Sequence, residues 1–253
     1  MVDFSVVMPI RNDADLLSFS LPTVYRLMPS EVILIFDNCS DESEQVAKDI
    51  IQKYDPLGRI TVFINDVPET VEHKERLSYL MRLGMDTAST GVVLVTAADI
   101  MLDPKIRNYM GKITQFPFIC FEHFDFPVNW RNLIKSGLRF FPLWKDDRLS
   151  GIYAIDLKVR AECEDPEKVK SIELGEDTLM QQFVQSKYPT KFFYVHNIHL
   201  RPKEDADRHY RRGLAYWRTA RRGFFKTVVS GVISGRLNLV KGYIHARLED
   251  KMF

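Results

Sequence analysis

The sequence predicts an α/β protein built on a mostly parallel, doubly wound sheet. Two observations carry that expectation. Short apolar runs (FSVVMPI, EVILIF, RITVFIN and GVVLVTA) alternate with longer segments of helical character over residues 1–105, and such alternation marks a parallel sheet with helices on its faces. EVILIF and GVVLVT are also near-continuous in Val, Ile and Leu, as strands buried on both faces should be.

The elements follow in order. FSVVMPI is dense in Val and Phe and reads as a first strand. RNDADLLSFSLPTVYRLM then forms a helix, with Asn12 or Asp13 placed to cap it. EVILIF is the second strand. DNCSDESEQVAKDIIQKY turns into a helix with Ser40 or Asp41 as N-cap and acids in its first turn. RITVFIN is a third strand, PETVEHKERLSYLMRLGMDTAS a third helix and GVVLVTA a fourth strand.

After Asp103-Pro104 the rhythm breaks. Residues 105–150 are rich in Phe, Trp and Pro, and the aromatics from Phe116 to Trp144 read as core, with stacking on a sugar or lipid as the alternative. SGIYAIDLK and KFFYVHNIHLRP look like further strands separated by a GEDTLMQQFV helix, giving a mixed second half that covers one edge of the sheet. From about Arg208 the chain is helical. Trp217, Ala220, Phe224 and Val228 share one face and Arg218, Arg222 and Lys226 another, with Gly231 and Gly235 interrupting before LNLVKGYIHARLEDKM.

Composition bounds the function. A chain of 253 residues buries a full core. Cys39, Cys120 and Cys163 are odd in number and far apart, without metal-ligand spacing or a disulfide framework, so a reducing compartment is expected. The chain enters a strand at Phe4, leaving no room for a signal peptide. No run approaches the roughly 18 apolar residues of a spanning helix. The expectation is a cytoplasmic protein, soluble or peripheral on a membrane face. The net charge of +1 hides an asymmetry: residues 1–200 carry 22 basic and 29 acidic side chains, residues 201–253 carry 13 and 5. A basic tail on an acidic body suggests an anionic partner, and a tail that is also aromatic suits an anionic membrane surface, the alternative being a helix that packs on the protein or dimerises. Nucleic acid is not expected, since only the tail's charge would favour it.

Three acidic clusters stand at element ends: Asp37 in FDNCSD, Asp99 in VLVTAADIMLDP and Glu176-Asp177 in LGEDTLMQQF. In open α/β sheets ligands bind beyond the carboxyl ends of the strands. A carboxylate at Asp37 can accept from a nucleobase N–H or a ribose hydroxyl, although DNCSD equally suits a turn with a helix cap. Asp99 suits a hard divalent cation that keeps waters and substrate phosphates, or caps the next turn. Of Glu176 and Asp177, one acid caps the helix and leaves the other free as a general base. His196 and His199 fall on opposite sides of a regular strand, as packing residues or as a metal or phosphate ligand. Arginines clustered in RHYRRGLAYWRTARR, Arg211 and Arg212 among them, suit a diphosphate through forked hydrogen bonds. No G-x-G-x-x-G and no glycine-rich phosphate loop near the first strand is present, which speaks against a dinucleotide oxidoreductase and a nucleotidyltransferase.

In this order the pieces resemble inverting family 2 glycosyltransferases of the GT-A fold, over residues 3 to about 215. FSVVMPIRND is similar to their opening strand and EVILIFDNCSDES to their second-strand segment with its base-binding aspartate, here Asp37. HKERLSYLMRLGMDTASTGVVLVTAADIMLDP resembles the stretch ending in the D-x-D metal motif, and LGEDTLMQQF the E-D motif whose aspartate is the catalytic base, here Asp177. The resemblance implies a nucleotide-sugar-binding half at 1–105, an acceptor and catalytic half at 106–207 and a basic amphipathic tail at 208–253. It implies catalytic Asp177 with Glu176, donor contacts from Pro9, Arg11, Asn12, Asp37, Ser40, Lys74, Arg76, Ala98, Asp99, Arg211 and Arg212, and Mg²⁺ or Mn²⁺ on Asp99 and His199, with His196 as the alternative histidine. The implied reaction moves a sugar from a nucleoside diphosphate sugar to a hydroxyl or phosphate of a glycan or lipid-linked acceptor. The sequence departs from the pattern at Ala97, where the first acid of D-x-D is missing, at Phe36, and at Arg11, where an aromatic or histidine is usual. A non-catalytic nucleotide-sugar-binding or scaffold protein is the alternative.

Overall fold

A computed structural model describes residues 2–58, 60–65, 73–125, 151–162, 183–200, 210, 214, 227–228 and 237–249. By compactness the chain divides into two units. The first holds residues 1–125, 148–165 and 176–201, the second residues 126–147, 166–175 and 202–253.

The first unit is organised by eight strands. In chain order these are β1 (Ser5–Ile10), β2 (Glu31–Phe36), β3 (Thr61–Ile64), β4 (Val92–Val95), β5 (Ile100–Met101), β6 (Phe118–Asp125), β7 (Tyr153–Asp156) and β8 (Thr190–His199), and the sheet order is β3-β2-β1-β4-β7-β6-β8-β5. The first four are parallel. β7 enters antiparallel to both β4 and β6, β8 lies parallel to β6, and β5 is antiparallel to β8. The expected doubly wound half is present. The mixed half continues the same sheet. From the aromatic run expected as core, Phe118–Asp125 forms strand β6, with Phe118 and Phe121 fully buried.

Alternation explains why β1 and β2 are apolar throughout. Val6, Met8, Ile10, Val32, Leu34 and Phe36 pack with Leu17, Leu21 and Val24 of helix α1 (Ala14–Arg26) and with Ala47 and Ile51 of helix α2 (Ser43–Tyr54). Val7, Ile33 and Ile35 point the other way, into a cluster with Leu80, Met81 and Met85 of helix α3 (His73–Thr87). Each face of the sheet is thus covered by helices, which side chains of period two on a strand require. Gly84 lets α3 approach: a Cβ there would stand 2.3 Å from Val7 Cγ1 and 2.9 Å from Ile35 Cδ1.

Pro9 sits within a central strand but beyond the stretch that pairs with β4, which ends at Val7, so its missing N–H costs no bond on that side. The carboxyl end of α1 is closed by Arg107 of the short helix α4 (Ile106–Met110), whose guanidinium donates to the carbonyls of Leu27 (2.6 Å) and Met28. A buried set of Tyr25, Thr61 and Asp55 ties α1 to β3: the two hydroxyls lie 2.9 Å apart, and Thr61 donates to Asp55 at 2.9 Å. Burial pushes the Tyr25 phenol up to about 12, with the Thr61 hydrogen bond opposing and the Asp55 charge adding to it.

In the second unit, helix Leu237–Glu249 buries Leu239, Tyr243 and Ala246 and exposes Leu237, Ile244 and Leu248. A Cβ on Gly242 would stand 2.0 Å from the carbonyl oxygen of Tyr210, so this helix too depends on a glycine for close approach. Tyr210 and Leu214 are themselves helical. The face of Trp217, Ala220 and Phe224, the basic face and both interrupting glycines lie outside the described residues. No described helix is long and apolar enough to cross a membrane.

Candidate functional site

The carboxyl ends of β1 and β2 finish level, with Ile10 opposite Phe36. The Asp37 N–H extends the ladder by donating to Ile10 O at 2.8 Å. Both chains then turn sharply through an asparagine, Asn12 at φ 53° and Asn38 at φ 47°, a left-handed conformation that asparagine tolerates better than most residues. The loops are laced together. Asn12 Oδ1 accepts the Ser40 N–H at 2.8 Å and its hydroxyl at 3.3 Å, the Asp13 N–H donates to Ser43 Oγ at 2.9 Å, and the Ala14 N–H donates to Asp41 at 3.1 Å. The Asp41 carboxyl is held below the usual range: its slight burial raises it, but the Ser43 hydroxyl and the N–H groups of Ala14 and Ser43 outweigh that.

These bonds correct the expected caps. Asp13 does occupy the N-cap of α1, but its carboxylate takes the Arg11 N–H at 3.2 Å instead of a helix N–H. The N-cap of α2 is Glu42, not Ser40 or Asp41. Asp41, one residue earlier, accepts the Ser43 N–H at 3.0 Å, because Ser40 is engaged by Asn12.

Asp37 is 3% exposed and lies between two arginines. Its Oδ1 accepts from Nε of Arg76, a buried residue of α3, and its Oδ2 faces Arg11 Nη1 at 3.4 Å. A carboxylate this buried needs a cation, since an unpaired buried charge costs several kcal/mol. Arg11, half exposed, is the outward-facing member. Three of the sequence-predicted donor residues are therefore one cluster. Lys74 belongs to α3, but its side chain lies outside the described residues.

On the other flank of β1, the chain leaves β4 with Thr96 N–H on Val7 O at 3.0 Å and turns through Ala97, Ala98 and Asp99 into β5. Ala98 is buried, and Ala97, at the position of the missing acid, packs against the apolar core. β5 pairs with the end of β8, placing Ile100 opposite His199, and the Leu200 N–H donates to Asp99 O at 2.8 Å. This ladder brings Asp99 Oδ2 to 3.1 Å from His199 Nε2, with 10% and 16% of the two side chains exposed. His196 is directed elsewhere: its side chain is 78% exposed, with Nδ1 3.5 Å from Asp103.

Two further side chains of this region were not expected from sequence. The His123 ring on β6 meets the His199 ring edge-on, with centroids 5.7 Å apart. Asn197, fully buried, accepts the Asp103 N–H at 2.7 Å and donates to Glu122 O at 2.6 Å. The available signal was a polar residue inside an otherwise apolar alternation, in FEHFD and VHNIH.

An oxygen and an imidazole nitrogen 3.1 Å apart fit neighbouring corners of an octahedral cation site, where bonds of about 2.1 Å separate adjacent ligands by about 3 Å. Among the described residues no group of three or more His, Cys, Asp or Glu side chains is set to hold a metal, and Asp99 and His199 are hydrogen-bond partners of one another. Glu176, Asp177, Arg211 and Arg212 lie outside the described residues.

No protein-family model matches the chain, and neither does any curated protein. Solved structures do. Glucosyl-3-phosphoglycerate synthase from Mycobacterium tuberculosis, in complex with Mn²⁺, UDP and phosphoglyceric acid, superposes with a TM-score of 0.57 at 15% identity, covering 84% of this chain and 75% of that one. The mannosyltransferase PcManGT from Pyrobaculum calidifontis, in complex with GDP-Man and Mn²⁺, gives 0.61 at 12% identity, covering 96% and 73%. S. aureus TarS 1–349 in complex with UDP gives 0.55 at 15% identity, covering 86% and 66%. The chain has the fold of these proteins, the GT-A glycosyltransferase fold.

Proposed function

We propose that this protein is a glycosyltransferase that moves a sugar from a nucleoside diphosphate sugar to an acceptor hydroxyl or phosphate, with inversion at the anomeric carbon. The observation that carries the reading is the meeting of Asp99 and His199 at 3.1 Å, on a GT-A fold. β2 and β4 flank β1 in parallel, so the Asp37 cluster and Asp99 share the sheet edge where such folds bind ligands.

Each group has a role in this reading. Asp37, with Arg11 and Arg76, meets the nucleobase and ribose. Pro9, Asn12, Ser40, Lys74 and Ala98 line the donor. Arg211 and Arg212 fork onto the diphosphate. Asp99 and His199 would hold a divalent cation, Mg²⁺ or Mn²⁺, which would supply positive charge against the departing diphosphate. Asp177 takes the proton of the acceptor hydroxyl as it attacks opposite the leaving group, with Glu176 next to it in sequence. The organisation follows: donor half at 1–105, acceptor half at 106–207 and tail at 208–253.

We propose further that the acceptor is lipid-linked and that the tail rests on the cytoplasmic face of an anionic membrane. The exposed Leu237, Ile244 and Leu248 and the excess of basic residues after residue 200 support this. Cys39 and Cys120 are thiols, which fits a reducing compartment.

A thermal-shift panel of nucleoside diphosphate sugars with Mn²⁺ tests donor binding, since a ligand of the folded state raises its apparent stability. Asp177→Asn should bind donor normally while losing about 10²–10⁴-fold in turnover, the usual yield of a positioned base. Unchanged turnover would remove Asp177 as the base. Ala97 favours one competing reading, a non-catalytic nucleotide-sugar-binding protein, which predicts donor binding with neither transfer nor hydrolysis.

A further inference from the structure

The register of β8 decides which of its residues reaches Asp99, and that register contains an irregularity. β6 and β8 pair evenly from Phe118 opposite Thr190 to Phe121 opposite Phe193, then resume at His123 opposite Asn197. Two steps along β6 are matched by four along β8, so β8 carries two extra residues, in a bulge through Tyr194–His196. A strand advances about 3.3 Å per residue. Without the bulge, Asn197 would occupy the level of His199, and His199 would lie roughly 7 Å further on, out of reach of Asp99.

A bulge disrupts the ladder and leaves main-chain groups without strand partners. Here Asp103 supplies one. Its Oδ2 accepts the His196 N–H at 2.8 Å, and its Oδ1 accepts the Lys105 N–H at 2.9 Å. In return the Asp103 N–H donates to Asn197 Oδ1 at 2.7 Å, and Asn197 reaches across to Glu122 O on β6 at 2.6 Å, at the level of the register shift. Asp103 and Asn197 are both buried. Burial raises the Asp103 carboxyl, yet the two N–H donors and the positive charge of Lys105 and His196 hold it below the usual value. The carboxylate is thus fixed as an acceptor at both oxygens. The exposed imidazole of His196 plays a smaller part than its main-chain N–H.

We propose that Asp103 is a positioning residue, which pins the β8 bulge through the His196 N–H and thereby sets His199 against Asp99. The metal arm of the test rests on the function proposed above; the structural arm does not. Asparagine at 103 can satisfy only one of the two N–H donors and turns an NH₂ toward the other. Serine retains a short acceptor for the Lys105 turn and cannot span to His196.

The experiment uses the full chain labelled with ¹⁵N in its histidine rings, with the His199 signals assigned through His199→Gln. Ring resonances are recorded without metal, and the Mn²⁺ dissociation constant is measured by electron paramagnetic resonance. Asp103→Asn and Asp103→Ser should shift the His199 resonances and weaken Mn²⁺ binding by about 10–100-fold, the usual effect of losing an outer-shell partner. His196→Ala should leave both readouts within about twofold, as expected where the imidazole contributes little. Asp55→Ala, which loses its bonds to Ile60 and Thr61 near β3, should lower thermal stability and move neither. Unchanged His199 resonances in a folded Asp103 variant overturn the proposal, as does failure of both Asp103 variants to fold while Asp55→Ala folds, which would mark a general structural role. If the parent protein takes up no Mn²⁺, the metal reading of the function falls, and the ring resonances alone decide the positioning role.

Discussion

The Asp37 carboxylate and the Arg76 guanidinium, 39 positions apart in the chain, meet as a buried ion pair, and Arg11 faces the second carboxylate oxygen from a half-exposed position. The two arginines should respond unequally to removal. Arg76→Ala strands a buried charge and should cost about 3–5 kcal/mol, whereas Arg11→Ala removes a long, solvent-screened contact and should cost at most about 1 kcal/mol. Urea unfolding of both variants checks the order. Equal losses would show that Arg11 supports Asp37 as strongly as Arg76 does.

Gly84→Ala sets two effects against each other. Alanine gains roughly 1 kcal/mol in helix propensity over glycine. Its Cβ, however, would intrude on Val7 and Ile35 at 2.3 and 2.9 Å, and overpacking typically costs about 1–3 kcal/mol. A net fall in melting temperature is expected, and Val7→Ala in the same chain should reduce the penalty attached to residue 84. A rise in melting temperature would mean that α3 can move away from the sheet without loss.

Asp103 should leave a mark on acid stability. Its carboxyl is held below the ordinary carboxylate value in the folded protein, so the unfolded chain binds the proton first as pH falls. The stability it contributes is fully present above the ordinary carboxylate pKa and is lost as pH falls through the lower folded value. Urea midpoints measured from pH 7 downward should therefore drop more steeply below about pH 4 in the parent than in Asp103→Asn. Parallel curves would contradict the lowered value.

Ala97→Asp tests the departure from the two-acid pattern. If the missing acid removes a ribose contact, restoring it should tighten donor binding by about tenfold, the scale of one charge-assisted hydrogen bond. The added carboxylate would border the apolar core that Ala97 now touches, so a loss of about 1 kcal/mol in stability should accompany the gain. Calorimetric titration of donor in Mn²⁺, read beside a thermal melt, separates the two effects.

For the tail, Ile244→Asp with Leu248→Asp should reduce flotation with anionic vesicles while leaving the melting temperature close to that of the parent, since both residues are exposed. Equal flotation would count against membrane attachment through this helix.

β1, β2 and β4 were legible in the sequence because helices cover both faces, and continuous Val-Ile-Leu runs follow from that. β5 was not, since two residues carry no period. β6 was hidden because FICFEHFD mixes buried aromatics with Glu122 and His123. The strand-end places of Asp37, Asp99 and His199 could be read from the order of motifs. The bulge could not: an excess of two residues preserves the in-out alternation of β8, so FYVHNIH reads as a regular strand even though its register has moved. The acids at 176 and 177 had a sequence rationale whose geometry lies outside the described residues.

The bonds between the loops after β1 and β2 have a consequence for engineering and for descent. Asn12 with Ser40, Asp13 with Ser43 and Ala14 with Asp41 join segments separated by a whole helix and strand. Each loop has a bond of its own, Arg11 N–H to Asp13 and Ser43 N–H to Asp41, and each is also fastened to the other. Exchanging one of them alone for a loop of another sequence would import half of a mutual fit and leave the Asn12 turn without its counterpart. The transferable module is the pair, and substitutions at residues 11–14 and 38–43 should be found to change together.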